Sequence, residues 1–127
     1  MNEDISRVTQ NLSNFLLEAE TRRQPAYKEY RGIFSILKEF ETKTPNTHLV
    51  CAKFVVNSQL IVIQKVNYII PDILIFAGKC LDGSCVHIVQ NVSQLNLALI
   101  ALPKPENVKI ERRKIGFEVQ GQEVKPD

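Results

Sequence analysis

The sequence predicts an α+β fold in a single domain, with two N-terminal helices followed by a mostly antiparallel β-sheet of five or six strands. Three observations predict it. Up to Phe40 the apolar residues recur at steps of three and four, the period of one helix face. After Asn46 the residues turn β-branched and aromatic, which suits a pleated and half-buried surface. Between Phe76-Ala77-Gly78-Lys79 and Val86-His87-Ile88-Val89 stands Asp82-Gly83, a pair that favours a hairpin turn. The 127 residues suffice for one core without disulfide or metal staples. They divide into a helical part (1–45), a β part (46–119) and a polar tail (120–127) that is expected to be mobile.

In chain order, Ile5, Val8, Leu12, Phe15, Leu16 and Ala19 place one stripe along a first helix that ends near Arg23. Pro25 suits the first turn of a second helix, in which Tyr27, Tyr30, Ile33, Phe34, Leu37 and Phe40 repeat the spacing until Thr44-Pro45-Asn46 stops it. Gly32 within that helix costs roughly 1 kcal/mol against alanine, so it marks either a close helix contact or an unconstrained position. Strands are expected over His48 to Val56, Gln59 to Val66 and Ile69 to Lys79, with Asn57-Ser58 as a tight connection. Asp82-Gly83, as a type I′ turn, needs positive φ at both positions. Pro71 has no N–H for a ladder, so the third strand starts there or carries an edge bulge. Leu60-Ile61-Val62-Ile63 and Ile73-Leu74-Ile75-Phe76 are apolar on both faces; one face takes the helices and the other needs a second layer or another subunit. From Ser93 to Leu102 the alternation of Leu95, Leu97 and Leu99 favours a strand, although Ser93 also fits a helix cap. Pro103 and Pro105 end that segment. Lys109 to Val119 reads as a last strand, with Arg113, Ile115 and Phe117 on one face and Arg112 on the other.

A net charge of +2 with 24% charged residues singles out neither DNA nor an anionic membrane as partner. The acidic start Met1-Asn2-Glu3-Asp4 lacks the pattern of a signal peptide, and Pro71-Asp72 interrupts the best apolar run well short of the roughly 20 residues of a membrane span. A cytoplasmic protein is expected. Three cysteines, Cys51, Cys80 and Cys85, without C-x-x-C spacing fit reduced thiols, and the sequon Asn91-Val92-Ser93 has no meaning without secretion. An enzyme needs a nucleophile with a base, paired carboxylates or a metal set. The histidines are only His48 and His87. Cys85 and His87 share a strand face with Cys80 across the hairpin, but the ligand set is incomplete and no acid stands at useful spacing. Two small buried cysteines and a half-exposed histidine are the plainer reading. Asp72 and Asp82 are isolated, and the glycines form no phosphate or dinucleotide fingerprint. The expectation is a protein without catalysis, cofactor or metal.

Binding chemistry is better represented. Gln90 to Asn96, Q-N-V-S-Q-L-N, offers amides and a hydroxyl but no group that titrates near neutrality. Gln94 and Asn96 share a face if the segment is a strand, where they suit a base edge or ribose hydroxyls; equally, the amides of a loop satisfy their own backbone. Arg112-Arg113 present guanidinium forks for phosphate or simply a solvated strand. Arg22-Arg23 complement the dipole at a helix end, and Arg31 lies just off the apolar stripe, facing a neighbouring subunit or solvent.

The run D-G-S-C-V-H-I-V-Q-N-V-S-Q-L-N-L-A-L-I-A-L-P-K, followed by R-K-I-G-F, resembles the Thoeris anti-defence 1 family of bacteria and their phages, over roughly Tyr68 to Phe117 with a helical N-terminal part of similar length. The resemblance implies a phage sponge that captures a cyclic ADP-ribose isomer made by host TIR-domain enzymes and holds it intact in the host cytosol. It also implies a homo-oligomer, a dimer or higher such as a hexamer, with ligand pockets at subunit interfaces; some members hold cyclic di- or trinucleotide signals at a separate site. By position, Asn96 matches an asparagine that contacts the ligand, Arg113 an arginine on its phosphates, and Arg31 an arginine reaching in from the partner. Where a base-stacking aromatic is expected after the hairpin, this chain has Val86 beside His87. Val86 suits an adenine face and His87 a stacking role. The competing expectation is a structural or protein-binding oligomer whose apolar strands pair with a host protein.

Overall fold

The computed structural model describes residues 2–55, 58–119 and 122–124, and the side chains of 7–55 and 58–117. Two helices, α1 (Asn2–Arg23) and α2 (Pro25–Lys43), precede a sheet in which β4 (Cys85–Asn91), β3 (Ile73–Lys79), β2 (Gln59–Ile69), β1 (His48–Phe54) and β5 (Leu97–Pro103) lie side by side, all antiparallel. The fold class is the expected one. β6 (Gly116–Val119) joins β2 in parallel, and β7 (Gln122–Val124) pairs with β6 within the segment expected to be a tail, which brings the sheet to seven strands.

Pro25 opens α2 at its first turn, and the backbone N–H of Ala26 donates to the Pro71 carbonyl at 2.8 Å, which ties the helix start to the β2–β3 turn. Ala26, Tyr30 and Leu37 are buried against Val50, Ala52, Phe54, Ile61, Ile63, Val66, Tyr68, Leu74 and Phe76. This core is the main favourable term in folding, since each fully buried large apolar side chain contributes roughly 1.5–3 kcal/mol before chain entropy is set against it. Aromatic edges complete it: Tyr30 meets Tyr68 at 4.7 Å and Phe34 meets Phe117 at 4.6 Å between ring centroids. Gly32 marks no close contact within the chain. It is exposed, and nothing lies within 4 Å of where its Cβ would stand.

Several strand expectations are corrected. β2 runs to Ile69 and β3 starts at Ile73, so Pro71 sits in the turn, after a cis Ile70–Pro71 peptide, and in neither strand. The third strand therefore starts later than Ile69 because Pro71-Asp72 make the reversal. β1 ends at Phe54; Val56 and Asn57 lie outside the described residues. In the β3–β4 hairpin only Gly83 has positive φ (91°), with its N–H donating to the Cys80 carbonyl at 2.9 Å and Cys80 N–H donating to Ser84 at 2.9 Å. This is a three-residue loop over Leu81-Asp82-Gly83 with one left-handed residue rather than a type I′ turn. Gly78 has a different constraint: a bulge in β2 between Ile63 and Lys65 brings Val62 so close that an added Cβ would stand 2.1 Å from its carbonyl oxygen.

The last expected strand differs most. From 104 to 115 the chain forms no strand; it crosses the face of the sheet turned away from the helices, where Val108 and Ile110 bury themselves on Leu49, Cys51 and Val62, and pairing begins only at Gly116. This strap is the second layer for the β1–β2 end of the sheet. The β3–β4 end of that face stays open, with Val89 and Ile69 exposed.

Candidate ligand-binding site

The strap and the β3–β4 hairpin wall a cleft of about 650 Å³, lined among others by Gln64, Lys79, Asp82, Asn107, Lys109 and Arg113. Its position follows from the fold. Lys79 ends β3 on the face away from α2, Gln64 stands at the β2 bulge, and Lys109 and Arg113 come from the strap on either side of buried Ile110. Three cations face two carboxylates, Asp82 and Glu111. Asp82 is engaged by its own turn: its Oδ1 accepts from the backbone N–H of Ser84 at 2.9 Å and from the Ser84 hydroxyl, and these bonds hold the carboxyl below the usual carboxylate range. The volume suits a nucleotide-sized ligand, and the donors are of the kind that hold phosphate and hydroxyl oxygens.

Arg112 has a different role from its neighbour. Expected with Arg113 at a phosphate, it instead turns towards the end of α2: Nη1 donates to the carbonyls of Pro45 at 2.8 Å and His48 at 2.7 Å, and Nη2 to those of Glu41 at 3.0 Å and Thr44 at 3.4 Å. The last carbonyls of a helix lack intrahelical partners, and a guanidinium satisfies several of them at once. Glu41 completes the clasp, its Oε2 accepting from Ile115 N–H at 2.7 Å. Arg112 therefore anchors the strap on α2 and leaves Arg113 exposed beside the cleft.

Asn96 lies elsewhere. With Leu95, Leu97 and Leu99 it rims an apolar groove of about 270 Å³ against Ile33, Ile36 and Leu37 of α2, with Ile63 and Phe76 also in the lining, on the helix side of the sheet. Within one copy, then, Asn96 and Arg113 open on opposite faces. The polar run around Asn96 is partly structural: Asn91 Oδ1 accepts from Ser93 N–H at 3.0 Å and from its hydroxyl at 2.9 Å, capping a 3-10 turn at Val92–Gln94, while Asn91 Nδ2 holds Asp72 at 2.9 Å. Residues 93 and 94 thus lie in that turn, and the strand expected over this segment starts at Leu97. Gln94 is exposed there. Val86 and His87 point to opposite faces of β4, Val86 packing on the helix-side core and His87 exposed opposite Ala77. Arg31 is exposed on α2, its guanidinium 5.5 Å from the Phe34 ring centroid, and lines neither cavity.

Gln64, Lys79, Asn107 and Lys109 were not legible as site residues. Asn107, Lys109 and Arg113 are near in sequence on the strap; Gln64 and Lys79 arrive from β2 and β3 by tertiary packing. Among the described residues no group of three His, Cys, Asp or Glu side chains is placed to hold a metal ion, and no helix is long and apolar enough to cross a membrane. Burial pushes the Cys51 thiol up to about 11, whereas Cys85 is exposed at the start of β4. Compared with protein-family models, curated proteins and solved structures, the chain matches none of them.

Proposed function

We propose that this protein is a non-catalytic binder of an anionic nucleotide signal, a cyclic ADP-ribose isomer made by TIR-domain enzymes, which it sequesters intact in the host cytosol as a phage anti-defence protein. The observation that carries the reading is the cleft that gathers Arg113, Lys79 and Lys109 with the amides of Gln64 and Asn107. Two phosphates need bidentate or multiple cationic donors, and ribose hydroxyls and base edges need amides. The resemblance described above assigns the phosphate role to Arg113, and its exposure beside the cleft supports that role. Asn96 and Arg31 reach the ligand from a neighbouring copy in this reading, since within one copy neither lines the Arg113 cleft. To silence a micromolar signal the site needs roughly 10 kcal/mol or more of binding free energy. Sequestration requires that affinity and slow release, not proton transfer.

The test is ligand release. The protein is mixed with the TIR-generated isomer, freed of unbound ligand and heat-denatured, and the supernatant is analysed. Unchanged ligand in stoichiometric amount supports sequestration; no retention refutes it, and a converted product points to catalysis. Arg113→Ala and Lys109→Ala should each cut retention while the protein stays folded. A second reading, a structural or protein-binding oligomer, is favoured by the exposed apolar stripe of α1.

A further inference from the structure

The cleft holds one charged group that phosphate binding leaves without a task. Burial alternates along the strap: Val108 and Ile110 are buried and Arg112 is half-buried in its clasp, whereas Asn107, Lys109, Glu111 and Arg113 are exposed. Those four exposed residues all line the cleft, so Glu111 stands in its wall two positions from Lys109 and two from Arg113. It pairs with neither. Glu111 makes no hydrogen bond or ion pair with any described residue, and nor do Lys79, Lys109 and Arg113. The other carboxylate of the cleft, Asp82, has its Oδ1 taken up by Ser84 of its own turn. Three unspent cations and one carboxylate with both oxygens unspent therefore face the same space.

A carboxylate beside phosphate-binding cations disfavours a bare phosphate, because like charges repel more strongly in a cleft than in open water. It favours a ligand that carries hydroxyls next to its phosphates. An ionised carboxylate only accepts, and a hydrogen bond to a charged acceptor is roughly twice as strong as one between neutral groups. The amides of Gln64 and Asn107 both donate and accept, so they serve phosphate oxygens and hydroxyls alike; a carboxylate tells the two apart. We infer that Glu111 is the specificity-determining residue of the cleft: it accepts from ribose hydroxyls while Lys109 and Arg113 beside it take the phosphates, so that sugar phosphates are selected over phosphates without hydroxyls. The inference rests on the ligand reading given above and names the group that discriminates within it.

Titration calorimetry of the full chain with three probes tests the role: the TIR-generated isomer, ADP-ribose and inorganic pyrophosphate, each on the parent and on Glu111→Gln. The substitution is isosteric at an exposed, unbonded side chain, so the urea midpoint should not move. Glu111→Gln should weaken the ribose-bearing probes about tenfold and strengthen pyrophosphate by a similar factor. Glu111→Asp, which keeps the charge, should retain the parent's order of preference. Opposite signs are the signature, because a merely structural role moves all the probes together. Shifts in the same direction, either class of probe left unshifted, or a parent that prefers pyrophosphate overturns the role of Glu111. If ADP-ribose binds and shifts as expected while the isomer is not held, the assignment of the signal falls and Glu111 keeps its role. A parent that binds none of the three overturns both.

Discussion

Replacing Arg112 by methionine keeps an apolar stem in place and removes every donor, which isolates what the guanidinium does. It donates to four carbonyl oxygens, three of them at 2.7–3.0 Å. A hydrogen bond from a charged group contributes roughly 1.5–3 kcal/mol net, but four bonds made by one group are not additive, and at this half-buried site water replaces some of them. The expected loss is about 2–4 kcal/mol. For a chain of this size that lowers the melting temperature by on the order of 10 °C. Urea unfolding with an unchanged m-value is the assay, because an unchanged slope assigns the shift to stability rather than to altered compactness. Arg112→Lys should recover only part of the loss, since one ammonium cannot span carbonyls of the helix end and of the β1 start together. Arg113→Ala, one residue away and exposed, should change stability by no more than about 0.5 kcal/mol. The reasoning is refuted if Arg112→Met unfolds at the parent's urea midpoint, or if Arg113→Ala is the more destabilised of the two.

Other expectations follow from single positions. Gly78→Ala places a Cβ 2.1 Å from a backbone oxygen that cannot retreat without breaking the β2–β3 ladder, so it should cost about 3 kcal/mol or more; a urea midpoint equal to the parent's would show that the bulge yields. Gly32→Ala, with open space around it in mid-helix, should stabilise by roughly 0.5–1 kcal/mol in the same assay, and a loss instead would place another surface against α2. Ser84 lowers the Asp82 carboxyl, so its stabilising effect is present above the unfolded-state value of about 3.9 and is lost as pH falls through the depressed folded value. Asp82→Ala should therefore melt below the parent at pH 7, with the gap narrowing at pH 2; a gap that stays constant across that range rules this linkage out. With its thiol pushed up to about 11 in the core, Cys51 should resist a thiol reagent at pH 8 until the protein unfolds, while exposed Cys85 reacts in the native state, as peptide mapping of the labelled protein would read.

The sequence by itself determined the two helices, the change to strands after Asn46 and the fold class, because periodicity and residue type act locally. Tyr30 and Leu37 are buried where the helical period places them, and Ile61, Ile63, Leu74 and Phe76 where the strand period does. Alternation could not tell a strand from an extended strap, and both leave Arg113 and Ile115 at alternate positions; burial of Val108 and Ile110 on the far face of the sheet made the difference. Nor did it separate Arg112 from Arg113. Two adjacent guanidiniums are chemically identical until the end of α2 and the turn after it, about seventy residues earlier, offer their carbonyls to one of them. The cleft is of the same kind: Gln64, Lys79 and Lys109 come from three separate segments, and only the packing of the strap over the sheet brings their charges and amides to one place.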